Sequence, residues 1–166
     1  MLLNIAKSTL FFFICIIFVI IQNNIAFAEN KSNLSIVKAI EEISEAIKNS
    51  KGRVICVYGN DQIAELLISR NTSAINFNNR TSFEKSSQCK LLYFGLDRTR
   101  TIRNDLDNFI NHQVITVSMI EDFTSIGGIV GFQSGRKKIE AVINLRLLVK
   151  KNIQLNPLLF EYVDNN

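Results

Sequence analysis

Tryptophan is absent, proline and histidine occur once each, and only three cysteines are spread over 166 residues. One proline excludes a collagen-like fibre, and three cysteines are too few for a disulfide-dense mini-protein. Charged residues are 20% of the chain against 47% apolar, which excludes a disordered tail. The lone histidine, His112, falls at the end of a predicted helix and reads as a solvated or dipole-favoured group. No His/Cys/Asp/Glu cluster has metal-ligand spacing, and there is no G-x-S-x-G, Walker loop or G-x-G-x-x-G. The sequence therefore assigns no catalytic residue, no metal and no cofactor.

What is present begins with an export pattern. Met1–Thr9 carries Lys7 and no acid, Leu10–Ile21 is an unbroken apolar run, and Ala26-Phe27-Ala28 places small residues at −3 and −1 of a cleavage site after Ala28. A spanning helix needs about 20 apolar residues, so the run is short for an anchor, although an uncleaved anchor is the alternative. The expected organisation is a signal peptide at 1–28 and one globular domain at 29–166, with an N-terminal helix region at 29–52 and an α/β domain at 53–166. Losing Lys7 takes the formal charge from +4 to +3, too mild to argue for nucleic acid. Cys15 leaves with the leader. Cys56 and Cys89 remain, and in an oxidising compartment they can pair, or each can be a small buried apolar residue.

Along the mature chain, Ile36, Ile40, Ile43 and Ile47 form one helical stripe, predicting a helix over Leu34–Lys48. Arg53–Tyr58 is a β-branched run ending at Gly59. Asp61 stands at an N-cap position before a helix that buries Ile63, Leu66 and Leu67. Ala74–Phe77 is a short strand candidate and Asn78–Gln88 reads as loop. Cys89–Phe94 is a second strand, Arg98–Asn111 a helix burying Ile102, Leu106, Phe109 and Ile110, and Val114–Val117 a third strand. Alternating strand and helix favours a parallel sheet covered on both faces. Ile129–Gln133 and Lys137–Ile143, separated by a Ser134-Gly135 turn, then form a hairpin. Leu145–Lys151 is predicted helical, as is Pro157–Val163 behind the Asn156 cap. The fold class is α/β, with a mixed, mostly parallel sheet and a C-terminal β-hairpin over Ile129–Ile143.

Three features invite functional readings. Gly127-Gly128 resembles a phosphate cradle, but it runs into a strand, so no helix N-terminus comes next to supply amide donors. A tight turn with close backbone packing is the plainer view. Arg136, Lys137, Lys138, Arg146, Lys150 and Lys151 make a basic zone in which Glu140 is the only acid. It is either a solvated surface or a docking patch for an acidic partner or anionic headgroups. The N-x-S/T triplets at Asn30, Asn33, Asn71 and Asn79 carry no weight in a chain this rich in Asn and Ser.

Ile115-Thr116-Val117-Ser118, Phe123, Gly127-Gly128, Ile129, Phe132, Ile139 and Ile143-Asn144-Leu145 together resemble the signature of the YfiR family of small periplasmic proteins. Cys56-Val57-Tyr58-Gly59, Cys89–Phe94 and Leu158-Leu159 match further pieces, so the likeness runs from about Arg53 to Val163. The aromatic Trp-Pro helix end usual before the first strand has no counterpart in Ile43–Lys51, and Met119 stands where an acid commonly follows Thr-Val-Ser. The resemblance implies a compact three-layer α/β/α domain and carries over Cys56 and Cys89 as a candidate structural disulfide. It implies Thr116, Ser118, Phe123, Gly127, Gly128, Phe132, Asn144 and Leu145 as structural signature residues, and no catalytic ones. It also implies a non-enzymatic repressor that binds the periplasmic part of an inner-membrane diguanylate cyclase, lowering cyclic-di-GMP and biofilm formation. An outer-membrane lipoprotein and a second copy of the chain are the further partners it implies. The competing expectation is a periplasmic small-molecule sensor or carrier using the crevice at the strand carboxyl ends, near Gly59-Asn60-Asp61, Gly95-Leu96-Asp97 and Ser118.

Overall fold

The computed structural model describes residues 32–45, 47, 55–71, 73–77, 88–109, 114–134 and 139–153. The chain divides into two compact units, Met1–Asn33 and Leu34–Asn166, and the sheet belongs to the second. The expected leader, its cleavage point after Ala28, His112, the loop at 78–87 and the helix at Pro157–Val163 lie outside the described residues.

β-branched and aromatic runs form the strands. These are β1 (Ile55–Tyr58), β2 (Ile75–Asn76), β3 (Leu91–Phe94), β4 (Ile115–Ser118), β5 (Val130–Ser134) and β6 (Ile139–Ile143). The helices are α1 (residues 32–45), α2 (Gln62–Arg70), α3 (Ile102–Asn108) and α4 (Leu145–Lys150). Six strands make one sheet in the order β2-β1-β3-β4-β5-β6. All neighbours are parallel except β5 and β6, which pair antiparallel from Val130↔Ile143 to Ser134↔Ile139.

Strand alternation divides the side chains between two cores. Ile55, Val57, Leu91, Tyr93, Ile115, Val117, Val130 and Phe132 face one side, where Ile36, Val37, Ile40 and Ile43 of α1, Ile63, Ala64 and Leu67 of α2 and Leu148 of α4 cover them. Cys56, Tyr58, Leu92 and Phe94 face the other, under Ile102, Leu106 and Phe109 of α3 with Ile120 and Phe123 of the following turn. The result is a three-layer α/β/α arrangement closed by an antiparallel hairpin. The β1-α2-β2 and β3-α3-β4 crossovers lie on opposite faces and step in opposite directions along the sheet, so they share one hand, as sheet twist requires.

Several expected boundaries move. Residues 32–45 are helical, so the first helix reaches ahead of the expected Leu34, and Ile47 lies outside the helix while still packing on the same core. The helix expected from Arg98 is broken. A 3-10 turn spans Leu96–Arg98, and α3 begins only at Ile102. The cause is local: Thr99 Oγ1 donates to Leu96 O at 2.6 Å, so a β-branched hydroxyl competes with the helical ladder for that carbonyl. Ser134 pairs with Ile139 in the ladder rather than standing in the turn.

Candidate functional site

In an open parallel sheet, ligands are taken where successive crossovers diverge to opposite sides. Here that point is the gap between the carboxyl ends of β1 and β3, and Asp61, Tyr93, Asp97 and nearby backbone amides bond to one another across it. Asp61 caps α2, its Oδ1 accepting from Ala64 N at 2.8 Å. Its Oδ2 accepts from the Tyr93 hydroxyl and from Leu96 N, each at 2.8 Å. Asp97 Oδ1 accepts from Asn60 N at 3.1 Å, and Gly95 N donates to Tyr58 O at 2.9 Å. The two strand ends can approach this closely only as glycines. Gly59 has φ +141°, and a Cβ there would stand 2.7 Å from Gly95 Cα and 2.5 Å from Asp97 Oδ1. The Arg98 guanidinium lies over the Tyr58 ring at 4.2 Å, while its Nε sits 3.4 Å from Asp97 Oδ2. Burial first, then the Asp61 carboxylate, pushes the Tyr93 phenol well above its ordinary range, so it is held as a donor. Ser118, the third strand end, is buried; its Oγ donates to Phe94 O at 2.7 Å and accepts from Ile120 N at 3.0 Å.

Of the residues singled out along the signature, Thr116, Phe123, Gly127, Gly128 and Asn144 meet at the β4–β5 connection. Thr116 Oγ1 accepts from Ile129 N at 3.0 Å, tying β4 to the start of β5. The Phe123 ring fills the space over Gly128, where a Cβ would collide with ring carbon Cε1. Gly128 N closes the loop onto Phe123 O at 2.9 Å, and Gly127 takes φ +112°. Asn144 caps α4 through Oδ1 to Leu147 N and sends Nδ2 to Thr124 O, both at 3.0 Å. Phe132 is buried on the opposite face, and Leu145 is exposed. These contacts hold a turn in place and present no reactive group. Among the described residues, no cluster of His, Cys, Asp or Glu could hold a metal, and no helix is long and apolar enough to cross a membrane.

Cys56 and Cys89 are bonded, both buried, with Cα atoms 5.7 Å apart. The bond ties β1 to the approach of β3 on the α3 side of the sheet. Of the basic zone, Arg146 and Lys150 lie exposed on α4, and Arg136, Lys137 and Lys138 fall outside the described residues. Lys151 serves the fold instead: its Nζ donates to Phe109 O at 2.9 Å at the end of α3, and burial lowers its pKa, with Lys150 adding to the effect.

Sequence reading missed the Tyr93 hydroxyl, a polar handle on an otherwise apolar strand. It also missed Asp105, which is fully buried: Thr101 Oγ1 donates to one oxygen, and Oδ1 has no hydrogen bond. Glu41, on α1, binds Arg70 through Nε and Nη2 and Asn71 through Nδ2, all at 3.2 Å, fastening α1 to α2. The Glu41 hydrogen bond and charge raise the Arg70 pKa.

Comparison with known proteins agrees with this picture. A family model described as YfiR/HmsC-like matches residues 34–162. No curated protein matches. Among solved structures, a conserved domain protein from Vibrio cholerae O1 biovar El Tor str. N16961 superposes with TM-score 0.58 at 10% identity, over 77% of this chain. This chain spans 58% of that structure, and at such identity the likeness concerns the fold alone.

Proposed function

The chain belongs to the YfiR/HmsC-like family, and from that premise we propose that it is a non-enzymatic periplasmic regulator. In this reading it binds the periplasmic sensor region of an inner-membrane diguanylate cyclase and holds the enzyme off, lowering cyclic-di-GMP and biofilm formation. The observation that carries the proposal is the hydrogen-bond network across the β1 and β3 carboxyl ends. The place where such a sheet would take a small ligand is occupied by the chain's own hydrogen bonds among Asp61, Tyr93, Leu96, Asn60 and Asp97. Recognition through the outer surface, in this reading, suits a macromolecular partner. The export pattern at 1–28 and the buried disulfide are in keeping with an oxidising compartment.

The test is a deletion strain complemented with the full-length gene. Cyclic-di-GMP is expected to rise on deletion and return on complementation, and the protein, captured from crosslinked envelopes, is expected to bring a diguanylate cyclase with it. Unchanged cyclic-di-GMP in the deletion strain would overturn the reading.

A further inference from the structure

The two ends of the sheet differ. At one end β2 has only two residues, Ile75–Asn76, and brevity protects it from further pairing. At the other end β6 has five, Ile-Glu-Ala-Val-Ile, with no proline or lysine among them. Asn144 N donates to Ile129 O at 2.8 Å in the same register as the β5–β6 ladder. By the alternation of an antiparallel pair, Ile139, Ala141 and Ile143 then turn their N–H and C=O groups away from β5. Among the described residues none bonds to those outward groups. Beside them Val142 is exposed, and Leu145 and Val149 are exposed just beyond.

Charge decides what fits. Arg136, Lys137 and Lys138 precede β6, Arg146 and Lys150 come after it, and Glu140 is the only acid between Arg136 and Lys151. A second copy carries the same excess of cations around β6, so like charge would meet like charge. An anionic lipid surface would suit the cations but offers no strand to pair with the open backbone. We propose that the outer edge of β6 takes an extended acidic segment of the partner protein as a seventh strand. Main-chain hydrogen bonds to Ile139, Ala141 and Ile143 hold the segment, and the flanking cations select its charge. The inference rests on the proposed regulatory role and names its contact surface.

The probe is a short synthetic peptide of alternating aspartate and valine, with a lysine–valine peptide as control, added to the purified protein while amide exchange is monitored. The acidic peptide is expected to slow exchange at Ile139, Ala141 and Ile143, less so as salt is raised, and the basic peptide to leave them unchanged. Ala141→Pro, which removes the central outward N–H, is expected to weaken binding by about tenfold or more. Lys150→Glu should weaken it without touching the edge.

The proposal fails if about 1 mM acidic peptide leaves those amides unprotected, or if both peptides protect them equally. It also fails if protection appears with rising protein concentration alone, or if phosphatidylglycerol vesicles bind while the edge stays open. Should Ala141→Pro not fold, exchange in the unmodified protein decides. In the deletion strain, a folded Ala141→Pro variant that still lowers cyclic-di-GMP would sink the edge assignment and leave the regulatory role standing. An unmodified gene that fails to lower it would sink the role itself.

Discussion

The Tyr93 hydroxyl donates to Asp61 Oδ2 across 2.8 Å, joining the centre of the sheet to the cap of the helix that follows β1. One carboxylate thus serves three donors on three segments: Ala64 N, Tyr93 and Leu96 N.

Removing the phenol, as Tyr93→Phe, should cost about 1–2 kcal/mol, because Oδ2 keeps its bond from Leu96. Asp61→Ala removes the cap and both cross-strand bonds, and is expected to cost about 3 kcal/mol or more. Urea unfolding of both variants checks the order. If Asp61→Ala lost no more than an ordinary N-cap is worth, the carboxylate would not be bridging the strand ends.

Gly128→Ala sets a methyl carbon against the buried Phe123 ring, and the loop has little freedom because Thr116, Gly128 and Asn144 all anchor it. A loss of about 3 kcal/mol is expected. Phe123→Leu in the same chain should recover part of it, and a double-mutant cycle measures that coupling. Additive losses would show that the ring is not what excludes a side chain there.

The disulfide closes a loop across a sequence separation of 33 residues. In the chain-entropy account, its loss costs about 3–4 kcal/mol. Melting of the oxidised protein should therefore fall on adding dithiothreitol, and the Cys56→Ala, Cys89→Ala double variant should match the reduced protein in either buffer. Identical melting with and without reductant would show that the bond contributes nothing.

Alkaline pH provides an independent check on Tyr93. Its folded pKa is raised above 10.0, so above that pH the unfolded chain gives up the phenolic proton first and the folded chain binds more protons. Stability is unaffected by this group below pH 10 and falls above it by about 1.4 kcal/mol per pH unit. Lys151 acts with the opposite sign in the window just below 10.5, where its lowered folded pKa makes stability rise with pH. Tyr93→Phe should flatten the fall above pH 10 and leave the Lys151 contribution in place. Urea midpoints across that range decide it.

Much of this architecture is legible in the sequence because its signals are short-range. RVICVY and CKLLYF announce strands, and Asp61 at the mouth of α2 announces a cap. Ile139, Ala141 and Ile143 show their shared face by alternation. The broken helix at Thr99–Thr101 is harder to see, since threonine in a helical stretch gives no sign of which carbonyl its hydroxyl will take. The signature residues stand out in the sequence as a pattern without a reason. Thr116 meets Ile129, Ser118 meets Phe94, and Asn144 meets Thr124, all across the fold rather than along the chain. Asp61 shows the same division: the Oδ1 cap is local and readable, whereas the Oδ2 bonds to Tyr93 and Leu96 exist only after β1 and β3 lie side by side.

A stub of two residues at the β2 margin has a consequence for stoichiometry. Fibres grow when every unit offers two mutually matching borders; among the described residues this one offers a single usable border and a dead end. Whatever is recruited along β6 therefore completes the particle, giving a finite one-to-one complex instead of a propagating array.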